Sequence, residues 1–129
     1  AEKRVNLILT GQRDAARAAG IRLFVAYHFE NMSPAQQQAL TFIERVTELE
    51  LLLGCEFGLA IDLEDIPNKP PWPREPYEAC ARETMGHIIA AKHRLCGVYL
   101  SPAFARELDL SWWFADSPLW LARWASTPA

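Results

Sequence analysis

Long apolar runs are missing from this 129-residue chain, as are a basic excess, a dense set of cysteines and any glycine-rich loop. Its uninterrupted apolar stretches are only a few residues long, against the ~18–20 that a bilayer-spanning helix needs. "AEKRVNLIL" has too short an apolar stretch for the core of a signal peptide. No membrane contact is therefore expected, and a cytoplasmic protein is. Lys and Arg together number 13 against 16 Asp and Glu, a net charge of −3, too few cations to displace counterions from a phosphate backbone. Nucleic acid is thus a poor partner, and only Lys3, Arg4, Arg13, Arg17 and Arg22 near the amino end offer it a basic segment. The three cysteines, Cys55, Cys80 and Cys96, are spaced like neither a zinc module nor a disulfide framework, which favours a reducing compartment. The isolated glycines make no phosphate loop, and no G-x-S-x-G or H-E-x-x-H occurs. No cofactor and no metal is expected, and no residue stands out as catalytic.

What the chain has is helix signals. Ser-Pro recurs at Ser33-Pro34, Ser101-Pro102 and Ser117-Pro118, pairing a preferred cap residue with one preorganised for a first helical turn. Gln36 after Ser33 completes the pattern of a capping box. Apolar residues Ala39, Phe42, Ile43, Val46, Leu49 and Leu53 form a helical stripe that Gly54 ends. A second stripe, Ala81, Met85, Ile88, Ile89, Leu95 and Cys96, predicts a helix over about 77–96 closed by Gly97. Lys92 falls at the centre of that stripe, where it either reaches solvent or pairs with a carboxylate. Short helices follow at about 102–109 and 118–125. Residues 67–76 form a proline-rich connector within one domain spanning 1–129, and Trp72 in it is expected to pack on the same body.

These signals predict a mainly α protein, a single compact helical domain with long helices near 34–53 and 77–96. The alternative is α+β, with a small sheet drawn from 4–9, 21–29, 57–63 and 97–101. It rests on the alternation of Ile21, Leu23, Val25, Tyr27 and Phe29 with Arg22, Ala26 and His28.

Function is read from two concentrations of residue type. Four of the five tryptophans lie in 111–124, where Trp112, Trp113, Phe114, Trp120 and Trp124 exceed what a small core needs and suit a binding surface. Charge is also uneven, +2 over residues 1–30 and −5 over 31–76, where Glu56, Asp62, Glu64 and Asp65 suit a basic partner. The expected function is non-enzymatic protein binding, by an adaptor, inhibitor or immunity-type protein, with self-association as a second form of contact. "DLED" lacks the glycine-punctuated loop of a calcium site and reads as a charged turn. The enzymatic alternative uses His93 with Cys96, or Glu83 with His87, on the helix at 77–96.

Overall fold

The computed structural model describes Asp14, Ala15, Ala18, Ala19, residues 25–107 and residues 119–121. In chain order these comprise β1 (Val25–Phe29), α1 (Ala35–Leu53), β2 (Gly58–Leu63), α2 (Arg74–Lys92), β3 (Cys96–Leu100), α3 (Pro102–Glu107) and β4 (Leu119–Leu121). The strands form one parallel sheet in the order β1-β2-β3-β4. Parallel neighbours need a crossover, and crossovers are right-handed, so strands added always on the same edge keep their helices on one face.

That face is the core. Leu59, Ile61 and Leu63 of β2 and Cys96, Val98 and Leu100 of β3 meet Phe42 and Val46 of α1, Tyr77, Ala81, Met85 and Ile88 of α2, and Phe104 of α3. Burial on both sides of a strand erases the polar alternation that marks an exposed sheet. This explains why β2 reads as a nearly continuous apolar run.

The mainly helical class is therefore corrected: strands alternate with helices in an α/β arrangement. Of the segments in the small-sheet alternative, 21–29, 57–63 and 97–101 do supply β1, β2 and β3, but the α+β arrangement is corrected because the sheet is parallel and interleaved with the helices that cover it. Residues 4–9 lie outside the described residues. Helix α2 runs three residues earlier than expected at its start and stops at Lys92. His93 takes the left-handed conformation, φ 53°, and its N–H reaches the Ile89 carbonyl, so Leu95 and Cys96 leave the helix for β3. Their apolar spacing fits the helical stripe by coincidence. Residues 119–121 are strand, where the Ser117-Pro118 signal predicts helix.

Two features of α1 show how its ends are held. Gly54 ends it as expected, in the left-handed conformation at φ 65°. No side chain caps its start, so the Ser33–Gln36 capping box does not form. Gln38 instead ties down the chain leading into the helix: this buried side chain donates from Nε2 to the carbonyls of Asn31 and Ser33, at 2.9 and 2.6 Å.

At the amino end of the sheet, Lys92 answers its own riddle. Its ammonium meets Glu50 at 2.7 Å, while Arg94 reaches the other oxygen of Glu50 at 3.0 Å and the Phe57 carbonyl at 2.6 Å. Burial opposes ionisation of Glu50, but the bonds from Lys92 and the Phe57 N–H and the Arg94 charge outweigh it and hold the carboxyl below its ordinary range. The stabilisation is present above that range and is lost as pH falls through it. Glu50→Gln is expected to lower unfolding free energy by about 1–3 kcal/mol at neutral pH, by leaving two half-buried cations underpaired. A shifted midpoint of denaturant unfolding at unchanged slope would register it.

Candidate active site

The other face of the sheet carries no helix among the described residues. Side chains alternate along a strand, and parallel register aligns those of neighbours. Val25, Tyr27 and Phe29 of β1 therefore share this face with Gly58, Ala60 and Asp62 of β2 and with Gly97 and Tyr99 of β3. One register row runs Phe29, Asp62, Tyr99, and Trp120 holds the next position in β4. The small residues Ala60 and Gly97 leave room above the middle strands. Tyr27 and Tyr99 lean over them to meet edge to face, ring centroids 5.9 Å apart.

Asp62 sits in this aromatic setting near the carboxyl end of β2, and Glu64 follows two residues later. The charge of Glu64 acts on both Asp62 and Tyr99, so the two carboxylates share one neighbourhood although Glu64 lies one residue past the strand. Burial and the charge of Glu64 push Asp62 up to about 6, and among the described residues its buried Oδ1 has no hydrogen-bond partner. Partial burial and the charges of Glu64 and Asp62 raise the Tyr99 hydroxyl as well. Asp62, Glu64, Tyr99 and Tyr27 thus share one electrostatic neighbourhood at the carboxyl ends of parallel strands, the end where α/β sheets place their chemistry.

The loop beyond β2 shapes the rim. Glu64, Asp65, Pro67, Arg74, Ser101 and Phe104 line a cavity of about 360 Å³. Arg74 grips Asp65 with two bonds of 2.9 Å, and that partner holds the Asp65 carboxyl below its ordinary range. Arg74 also bonds Glu107 at 2.6 Å and lies over the Phe104 ring.

Beneath the same end of the sheet, on its helix-covered side, Glu30 is wholly buried. The Glu30 N–H bonds the Asp62 carbonyl, and the Tyr77 hydroxyl donates to the Glu30 carbonyl. The Thr84 hydroxyl lies 2.7 Å from Glu30 Oε1 and 2.9 Å from the Cys80 carbonyl. One hydroxyl proton serves one acceptor, so a protonated Glu30 completes the set. Burial, opposed by bonds from Thr84, Cys80 and Gln38, pushes Glu30 up to about 7.

The sequence-predicted site residues are divided by this geometry. Glu56 is exposed, paired with Arg94 at 3.3 Å before β2 begins, whereas Asp62, Glu64 and Asp65 gather at the far end of that strand. Trp112, Trp113, Phe114 and Trp124 lie outside the described residues, and Trp120 is described only as part of β4. Lys3, Arg4, Arg13, Arg17 and Arg22 lie outside them too. Glu83 and His87 are exposed on α2. His93 ends that helix exposed, whereas Cys96 is buried in β3 with its thiol pushed up to about 12 by burial. Native protein is accordingly expected to leave Cys96 unmodified by a water-soluble thiol reagent until it is unfolded, with mass analysis of the labelled peptides as the check.

Tyr27, Phe29, Tyr99 and Glu30 were not legible as site residues. The available signal was Asp62-Leu63-Glu64 at the end of an apolar run, a two-residue spacing that acquires meaning only in a strand. Among the described residues no group of three or more His, Cys, Asp or Glu converges to hold a metal, and no helix is long and apolar enough to cross a membrane.

Compared with known proteins, residues 1–129 match the family model described as "Glycosyl hydrolases family 25". No curated protein and no solved structure matches significantly. The family match overturns the expectation of a non-enzymatic adaptor, inhibitor or immunity-type protein.

Proposed function

The chain belongs to glycosyl hydrolase family 25, and from that premise we propose that it is a lysozyme-like glycosidase in which Asp62 and Glu64 are the reacting carboxylates. Glycoside hydrolysis commonly needs one carboxylic acid to protonate the departing oxygen and one carboxylate to assist at the sugar carbon. One observation carries the reading: Asp62 stands on the aromatic-lined face with the Glu64 charge beside it, and burial together with that charge keeps a proton on Asp62 up to about pH 6. Tyr27, Phe29 and Tyr99 offer ring faces to the apolar faces of sugar rings, and the exposure of Tyr27 (52%) and Phe29 (39%) keeps them available.

The proposal is tested by release of new reducing ends from a panel of polysaccharides, bacterial cell-wall glycan included. Turnover that declines above about pH 6, as Asp62 loses its proton, supports it. Absence of hydrolysis across the panel, or wild-type rates in Asp62→Asn and Glu64→Gln, would overturn it. A substrate whose leaving group needs no protonation separates the roles within the pair, since it restores turnover only to the variant lacking the proton donor.

A further inference from the structure

The proline-rich connector is tied to the residues that end the candidate site. The ladder of β2 stops at Leu63, so Glu64 is the first residue beyond strand pairing. Its carbonyl accepts a hydrogen bond from the indole Nε1–H of Trp72 at 2.9 Å. The backbone N–H of Trp72 donates to Asp65 Oδ1 at 3.0 Å, and the Trp72 carbonyl accepts from Arg74. The indole stacks on Tyr77, with centroids 5.6 Å apart and planes 5° from parallel. Tyr77 is fully buried and bonded to the Glu30 carbonyl at the end of β1. A continuous path of ring stacking and hydrogen bonds thus runs from the core to the peptide of Glu64. Pro70, Pro71 and Pro73 flank the tryptophan, and their fixed φ lowers the entropy lost in holding the loop.

We propose that Trp72 is a positioning residue for Glu64: its indole N–H fixes the Glu64 peptide where strand pairing has ended, keeping that carboxylate beside Asp62. The inference rests on the glycosidase reading for its catalytic consequence, and on the geometry alone for the placement. Misplacement of a reacting group by about 1 Å can lower a rate by about 10²-fold, so a single donor at this point has leverage on turnover. Packing alone would not require the donor, because the stack on Tyr77 is made by the ring.

Trp72→Phe keeps an aromatic ring on Tyr77 and removes the N–H. The expected result is a kcat lower by at least about tenfold with KM within about twofold, the pattern of an interaction that matters in the transition state. The titration midpoint of Asp62, followed by NMR of its carboxyl carbon, is expected to fall toward the ordinary carboxylate range as the Glu64 charge moves away. Should the phenylalanine variant fold poorly, benzothienylalanine at position 72 preserves the bicyclic shape and lacks only the donor. A wild-type kcat together with an unmoved Asp62 midpoint in a folded variant overturns the proposal. Failure of the glycosidase reading is visible separately, as wild-type turnover in Glu64→Gln, and the Asp62 titration then judges the placement by itself.

Discussion

Glu64→Gln is expected to lower kcat/KM for glycoside hydrolysis by about 10²–10⁴-fold, the range that a positioned acid or base contributes. The amide keeps the size of the side chain and removes both its charge and its capacity to exchange a proton. Glu64 lies at the end of β2, outside the buried cluster, and the tie from Trp72 goes to its carbonyl, which the substitution leaves in place. The variant is therefore expected to fold as the parent does, with a thermal midpoint within a few degrees. Loss of the neighbouring charge should also bring Asp62 down from about 6, because that charge is one of the two causes of its elevation. Kinetics and titration thus report on the same pair by independent routes. A variant with wild-type kcat/KM would remove Glu64 from the chemistry.

The second large effect concerns stability. Glu30 holds its proton up to about 7 in the folded protein, against 4.5 for an ordinary glutamate. A carboxyl of this kind stabilises the fold fully below its unfolded value, and the benefit is lost as pH rises through the folded one. Stability is expected to fall between about pH 4.5 and pH 7 by about 3 kcal/mol, at about 1.4 kcal/mol for each tenfold change in proton binding. The groups that face Glu30 set the size of the effect: His28 lies 3.8 Å from Oε2, Thr84 bonds Oε1, and Cys80 adjoins on α2 with its own thiol raised by burial and by Glu30. His28 is itself engaged by Gln38 at 2.8 Å, whose Oε1 must accept because its Nε2 donates to two carbonyls. Glu30→Gln supplies a permanently neutral group able to donate to Thr84, so unfolding free energy measured across this window should become flatter. Asp62 contributes a slope of the same sign over a narrower range and would account for what remains. An unchanged slope in Glu30→Gln would show that the elevation lies elsewhere.

Residue patterns made α1 plain and marked three strands only as an alternative, without their parallel pairing. In α1, a polar outer face and the closing Gly54 agree with one another, and the helix forms where they point. In β2 and β3, both sides of the strand are covered over much of their length, so Leu59, Ala60 and Ile61 present no alternation. Leu95 and Cys96 continued the apolar spacing of the preceding helix and Gly97 imitated its close, which concealed the true end, although His93 in the left-handed conformation is what breaks it. The site was hidden for the same reason. Asp62 and Glu64 look like a charged turn until the end of β2 brings their charges together, and Tyr27 and Tyr99, 72 positions apart in the chain, meet only through the register of two intervening pairings. Trp72 was expected to pack on the body of the protein, and it does, but nothing local announces the carbonyl it serves.

The sheet's two sides divide labour between adjacent positions of the same strand. Ile61 and Leu63 answer to the helices, while Asp62 between them answers to whatever molecule comes to the open side. A substitution at Asp62 is therefore expected to alter what the open side can bind while Ile61 and Leu63 keep the interior closed.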